Sequence, residues 1–260
     1  MVDLFEEIVR VRRERVGAAL ATVVGGEKGV PGKTGFRMLV YADGRSLGTV
    51  GGGKLEATVH EEALRALREK KMSLLEYTLD EQSADTLGAL CGGKIAVFVE
   101  PIQAWPTLYV FGGGHIALSL VQFAKVLEFS MVVVDDREEF ANQTRFPGAE
   151  VRFGDFVKVT RSLSFTEDDS VVIVTRGHEH DEEVLRECLS KAVHPGYVGM
   201  IGSKQKITIT FSNLKERGIR EELLRKVKAP IGLDIGSRTP AEIALSIMAQ
   251  IVAVRYRKAT

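Results

Sequence analysis

Three consecutive glycines, Gly112-Gly113-Gly114, followed at once by His115, form the most informative chemical pattern in this chain of 260 residues. An apolar run, Leu108 to Phe111, leads into them, and an amphipathic segment of helical length leads out. A second apolar run, Met131 to Val134, then ends at Asp135-Asp136. Strand, glycine turn, helix, strand and acid in that order make a nucleotide-binding βαβ unit of the Rossmann type. Gly112 permits the tight turn, Gly114 lets backbone approach a phosphate, and Ala117 stands where a third glycine usually sits. The helix N-terminus offers free N–H groups and a positive dipole end to an anion. His115 could touch whatever occupies the turn, or else merely cap or pack, and Asp135 and Asp136 come where ribose hydroxyls would be read.

Other residues could extend that chemistry. Gly51-Gly52-Gly53, before Lys54-Leu55-Glu56, frees the backbone at a strand-to-helix switch to form an anion nest, a cradle for a phosphate or a pterin phosphate. The bland alternative is a tight packing turn. Cys91, followed by Gly92-Gly93 in a polar loop, is a candidate thiolate for a soft metal or for carrying sulfur, the alternative being a small buried hydrophobe at a strand entrance. Cys188, on a helix, reads as packing. Thr175-Arg176-Gly177-His178-Glu179-His180-Asp181 follows an apolar strand, so it falls on the edge where parallel sheets bind ligands. Thr175 and His178 are ligand-contact candidates there. His178, His180 and Asp181 are the weaker candidates for a metal, and Asp181 is equally a helix cap. Gly202-Ser203-Lys204 ends another strand, where Ser203 and Lys204 could hold an anionic group or simply cap the next helix. Gly29 to Gly35 is glycine-rich but lacks P-loop spacing.

The elements that must position these groups fall into two blocks. Residues 1–100 read as a small α+β domain, 101–107 as a linker bracketed by Pro101 and Pro106, and 108–260 as a Rossmann-like parallel sheet with helices. In the first block, helical spacing of Leu4, Ile8 and Val11 follows a capping Asp3. Strands are expected at Ala18–Val24, Arg37–Ala42, Arg45–Val50, Leu74–Leu79 and Lys94–Glu100, with a helix from Lys54 to about Lys70 and a loop from Glu81 to Gly93. In the second, strands are expected at Leu108–Phe111, Met131–Asp135, Val151–Phe153, Ser170–Thr175 and Tyr197–Ile201. A last long helix begins near Pro240 behind a Thr239 cap and runs to about Arg255.

Bulk composition narrows the function classes. Lysine and arginine together number 35, as do aspartate and glutamate, so no basic field points to nucleic acid or a membrane surface. The apolar runs are strand-sized, which argues against a transmembrane span, and the charged N-terminus does not read as a signal peptide. Two isolated cysteines give neither a disulfide framework nor zinc spacing and point to a cytoplasmic protein.

Taken together and in order, these segments resemble the XdhC/CoxI family of xanthine dehydrogenase accessory proteins over nearly the whole chain. The first block carries the likeness through Ala21-Thr22-Val23-Val24, Gly51 to Glu56 and Cys91-Gly92-Gly93. The second carries it through Phe111 to His115, Val134 to Arg137, Thr175 to Asp181, Ile201 to Lys204, Pro230 to Gly236 and Thr239 to Ala244. One departure is Gly29-Val30-Pro31-Gly32, where the family often has a Gly-Ser-x-Pro sequence, so no role passes from that serine. The resemblance implies a molybdenum-cofactor chaperone rather than an enzyme. Such a protein binds molybdopterin, supports its sulfuration with a cysteine desulfurase, and inserts it into a xanthine dehydrogenase-type hydroxylase, often as a homodimer. On that reading the cofactor phosphate lies near Gly112, Gly114 and His115, and Cys91 approaches the metal or its sulfur in a cleft between domains.

Two rival readings use the same turn. A nicotinamide-dependent oxidoreductase would bind NAD or NADP there, with Asp135 and Asp136 on the ribose, but no hydride-transfer constellation stands out. A nucleotide-sensing regulatory module would need only binding, without chemistry.

Overall fold

A computed structural model describes residues 3–26, 32–79 and 93–256. The chain is α/β and divides into two compact units, Met1–Trp105 and Pro106–Thr260.

The first unit is α+β. Helix α1 (Leu4–Glu14) starts at Asp3, whose carboxylate accepts from the N–H groups of Phe5 and Glu6. Five antiparallel strands follow: β1 (Ala18–Gly26), β2 (Arg37–Tyr41), β3 (Ser46–Gly48), β4 (Ser73–Leu79) and β5 (Gly93–Ile102), ordered β3-β2-β1-β5-β4. Helix α2 (Gly53–Glu69) lays Leu55, Val59, Ala63 and Ala66 on one sheet face, against Ala19, Ala21, Val40 and Val97. On the other face α1 buries Val11 with Leu20, Leu39 and Tyr41. Glu7 fixes the helix there, accepting hydrogen bonds from the Tyr41 hydroxyl and, at 2.8 Å, from Arg10 Nε.

Several strand ends shift by one or two residues from the sequence expectation, as at β1, which runs to Gly26, and β9, which stops at Ile173; two of the shifts have a clear physical reason. The returning strand covers only Ser46–Gly48, because Gly48 has φ +87° and sits so close to Arg37 O that a Cβ would lie 2.4 Å from it. The strand expected to end at Glu100 runs to Ile102, and Pro101 lies opposite Ala19. Pairing with β4 ends at Ser73–Val99, so beyond that point the missing N–H of Pro101 faces no partner strand. The segment between the sheets is therefore 103–106.

The second unit is a five-stranded, all-parallel sheet: β6 (Thr107–Phe111), β7 (Ser130–Asp135), β8 (Glu150–Phe153), β9 (Ser170–Ile173) and β10 (Tyr197–Met200), in the order β10-β9-β6-β7-β8. Helices α3 (His115–Val126) and α8 (Pro240–Arg255) cover one face, burying Ala117, Leu120, Ala244 and Ile247 on Leu108, Val110 and Val133. Helices α4 (Phe156–Ser162), α5 (His178–Leu189) and α6 (Lys204–Glu216) cover the other, around Phe111, Val134, Ile173, Leu185 and Leu214. Short α7 (Glu221–Leu224) closes that side. Cys188 is fully buried in this layer, and burial pushes its thiol far up, as a packing role requires. Strands buried on both faces explain the unbroken apolar runs of β6 and β7.

Candidate functional site

In the second unit the chain leaves β6 in one direction, toward β7 and β8, and leaves β9 in the other, toward β10. The carboxyl ends of β6 and β9 therefore border a topological switch point, where open parallel sheets bind ligands. Gly112-Gly113-Gly114 leaves β6 there, and Val174 to His178 leaves β9 beside it. The two turns touch: a Cβ on Gly112 would lie 2.4 Å from Val174 O.

The three glycines have three different reasons to be glycine. Gly112 has φ +109° and no room beside Val174. Gly113 has no room either, since an added Cβ would be 2.2 Å from Phe140 O. Gly114 has ordinary extended backbone, φ −74° and ψ −164°, and a Cβ there would meet nothing within 4 Å. Protein packing demands the first two; only the third fronts open space.

Gly114 is also the N-cap of α3, with no side chain capping the helix. The first helical bond runs from Leu118 N–H to Gly114 O at 3.3 Å, so the N–H groups from Gly114 to Ala117 precede the ladder. Across the switch point α5 likewise begins at a glycine, Gly177, with no side-chain cap. By contrast Asp155 caps α4, Ser203 caps α6 through Lys206 N–H at 3.3 Å, and Thr239 with Glu242 forms a capping box on α8. Apart from the single-turn α7, the uncapped helices of this unit are the two that start at the switch point, on opposite faces of the sheet. Two positive dipole ends thus meet at the switch point. His115, exposed, stands at its edge.

The acids behind the turn are engaged internally. Asp135 is 1% exposed and accepts from Gly113 N–H at 2.7 Å, Arg137 N–H at 3.0 Å, and Arg137 Nε and Nη2 at 2.9 and 3.0 Å. Burial raises its carboxyl, but Arg137 and the two N–H groups outweigh burial and hold it below the usual range. Arg137 stacks on Phe140, 3.7 Å from the ring centroid, and Arg145 donates to Gly113 O at 2.9 Å. Asp135 therefore fixes the turn from beneath. Asp136 is more exposed and receives Arg176 at 2.8 Å, with His180 3.8 Å away.

The second strand end is locked in a similar way. Asp181 is fully buried and accepts from Thr175 N–H at 3.1 Å, from Thr175 Oγ1 at 2.6 Å, and from the ammonium of Lys206. Burial drives its carboxyl up, against Lys206 and Thr175, which pull it down. Asp181 thus pins the turn before α5 rather than capping the helix, and its carboxylate is committed to Lys206. Among the described residues no group of three or more His, Cys, Asp or Glu is placed to hold a metal ion. His180 packs on Phe156, ring centroids 5.2 Å apart, while the His178 side chain is outside the description.

The remaining candidates separate. Gly51, Gly52 and Gly53, in the first unit, all have positive φ, backbone that glycine adopts without strain. The anion nest expected there is pre-empted by a side chain: Glu56 Oε2 accepts from Val50 N–H at 3.3 Å, Gly52 N–H at 3.2 Å and the Thr49 hydroxyl. Ser203 uses its hydroxyl as a cap, and Lys204 beside it is exposed. Cys91 lies outside the described residues, as do Gly29, Val30 and Pro31. Lys206, Arg137 and Glu56 were not among the sequence candidates. The one available signal for Glu56 was an acid four residues after a glycine with free N–H groups.

Sequence comparison bears on this geometry. A profile described as the XdhC Rossmann domain matches residues 108–251, and one described as the XdhC and CoxI family matches residues 11–78. The chain belongs to the XdhC family. Among curated relatives, the uncharacterized protein YqeB of Escherichia coli K12 is 32% identical over 98% of this chain and 46% of its own length. A Bacillus subtilis protein named as a probable xanthine dehydrogenase subunit is 29% identical over 63% of this chain and 47% of its own length. This XdhC-family chain thus spans about half the length of those two relatives. The molybdenum cofactor insertion chaperone PaoD of Escherichia coli K12 is 23% identical over 93% of this chain and 85% of its own. A crystal structure described as a xanthine dehydrogenase from Bacillus halodurans shares the fold, with a TM-score of 0.54, 23% identity, and coverage of 99% of this chain and 96% of that one. Among the described residues no helix is long and apolar enough to cross a membrane.

Proposed function

We propose that this XdhC-family chain binds the molybdenum cofactor as cargo and supports its insertion into a xanthine dehydrogenase-type molybdenum hydroxylase. Family membership and the relative named a molybdenum cofactor insertion chaperone support that reading. The observation that carries it is Gly114: an uncapped helix start, open space above it, and no demand from packing for a glycine. A phosphate placed there would accept from N–H groups that otherwise have no partner in the helix, in the field of two dipole ends. His115 and Thr175 lie at the same switch point. The cofactor brings a phosphate, a pterin and a dithiolene-bound molybdenum; the chain supplies amides for the phosphate and a fixed turn beneath them.

Finer roles belong to the same proposal. Cys91 supplies a thiolate to the metal or to the sulfur being installed, with a cysteine desulfurase as donor. The chain acts in the cytoplasm as a homodimer. The nicotinamide reading has less support, because of the two acids that would read a ribose Asp135 is saturated by Gly113 and Arg137 and Asp136 is paired with Arg176.

The test is transfer. Apo-hydroxylase given cofactor with this chain should gain activity faster than with cofactor alone, and Cys91→Ala should lower the sulfurated fraction without altering the unfolding midpoint. Equal activation with and without the chain would reject insertion; full sulfuration by Cys91→Ala would remove the thiolate from the mechanism.

A further inference from the structure

A cavity of about 500 Å³ opens beyond the carboxyl end of β10, within the range of small-molecule sites. The β10–α6 turn, the loop before α8 and the first turns of α8 wall it. Ile201, Ile231, Leu233 and Ile243 give it apolar sides, while Lys204 and Asp234 line it with one charge of each sign. Neither charge has an ion-pair partner among the described residues.

The walls are built rather than loose. Gln250 accepts from the buried Tyr197 hydroxyl at 2.7 Å and from Gly232 N–H at 3.0 Å, and donates back to Gly232 O at 3.1 Å. Ile231 N–H donates to Met200 O at 3.1 Å and Leu233 N–H to Ser246 O at 3.2 Å. Gly232 has φ +95°, and an added Cβ would lie 2.4 Å from Ser246 Oγ, so the loop must pass close to α8. Such pinning preorganises a pocket before any ligand arrives.

Position gives it a meaning. β10 is two strands from β6, which at sheet spacing is about 10 Å along the same edge. An extended ligand whose phosphate sits at Gly114 would cross the end of β9 and bring its other end here. We infer that this pocket receives the fused-ring head of the cargo, with its faces against the isoleucines and leucine. The Asp234 carboxylate accepts from the ring's amino and N–H donors, and the Lys204 ammonium donates to its oxo group. The inference rests on the cargo reading for the ligand's identity, but the pocket's preference for such a ring can be measured separately.

The probe is a phosphate-free pterin, neopterin, followed by its own fluorescence on titration with the full chain. Wild-type protein should bind it, excess inorganic phosphate should not displace it, and adenosine, which lacks the amino-oxo edge, should bind at least about tenfold more weakly. Asp234→Asn should weaken neopterin about tenfold or more; Asp234 is exposed, so the fold should persist, as the unfolding midpoint will verify. No binding by wild type, equal affinity for adenosine, displacement by phosphate, or an unchanged Kd for Asp234→Asn would each overturn the inference. The two readings fail differently. Chain isolated with cofactor but indifferent to Asp234→Asn rejects the pocket and keeps the cargo. Chain that binds neopterin through Asp234 yet never carries cofactor rejects the cargo and keeps the pocket.

Discussion

Alanine placed in turn at Gly112, Gly113 and Gly114 should give two folding defects and one binding defect. At Gly112 the new methyl would meet Val174 O at 2.4 Å on a backbone with φ +109°, and at Gly113 it would meet Phe140 O at 2.2 Å. Forcing a side chain into packed backbone costs about 1–3 kcal/mol, and positive φ adds about 1–2 kcal/mol at Gly112. At Gly114 the backbone suits any residue and the methyl meets nothing within 4 Å, so the loss is confined to N-cap preference, about 0.5–1 kcal/mol. The same methyl would occupy the space above the free amides and hold a phosphate away from them. Losing one hydrogen bond to a charged acceptor costs about 1.5–3 kcal/mol, or roughly 10- to 150-fold in affinity. Chemical denaturation gives the first quantity and cofactor titration the second. Gly114→Ala with wild-type affinity, or as unstable as Gly112→Ala, would refute the assignment of this glycine to a ligand.

Other perturbations test the surrounding structure. Lys206→Met should cost about 3–5 kcal/mol by stranding the buried Asp181, and Asp181→Asn in the same chain should recover part of it; equal stability of wild type and Lys206→Met would contradict the pairing. Glu56→Ala should free the Gly51–Gly53 nest and lower the unfolding free energy of the first unit by about 1–3 kcal/mol, read by denaturation. Glu7 has its carboxyl lowered to about 2 by its hydrogen bonds to Arg10 and Tyr41, against an ordinary 4.5. Its contribution is therefore complete above about pH 4.5 and fades as pH falls toward about 2. Trp105, whose ring lies under Arg12 and Arg13 of α1, should report that loss by fluorescence, and Glu7→Gln should flatten the profile.

Much of the fold was legible because both periodicities were clean. Four of the five parallel strands appeared as short, largely apolar runs, β8 with its Arg152 being the exception, and Thr239-Pro240 with Glu242 announced α8 through capping chemistry. Strand ends were less legible where a close approach decided them, as at Gly48, or where a neighbouring strand stopped, as at Pro101. The site was legible in location but less so in role. Residue type alone makes Gly51–Gly53 and Gly112–Gly114 equivalent anion cradles. Only three dimensions show that Glu56 fills the first and that Gly114 leaves the second open. Asp135 likewise has the spacing of a ribose-binding acid, yet Arg137, two residues on, turns it into a brace for the turn.

The central claim is that the amides at Gly114 and His115 hold a phosphate-bearing molybdenum cofactor. Its most direct test is to isolate the protein anaerobically from cells making abundant molybdopterin, and to count molybdenum and oxidised pterin per chain for wild type and Gly114→Val. Near-stoichiometric metal and pterin on wild type, and a folded but empty Gly114→Val, are the expected result. Wild-type protein that emerges empty and takes up no cofactor when offered it, or a variant that loads as fully as wild type, would contradict the account.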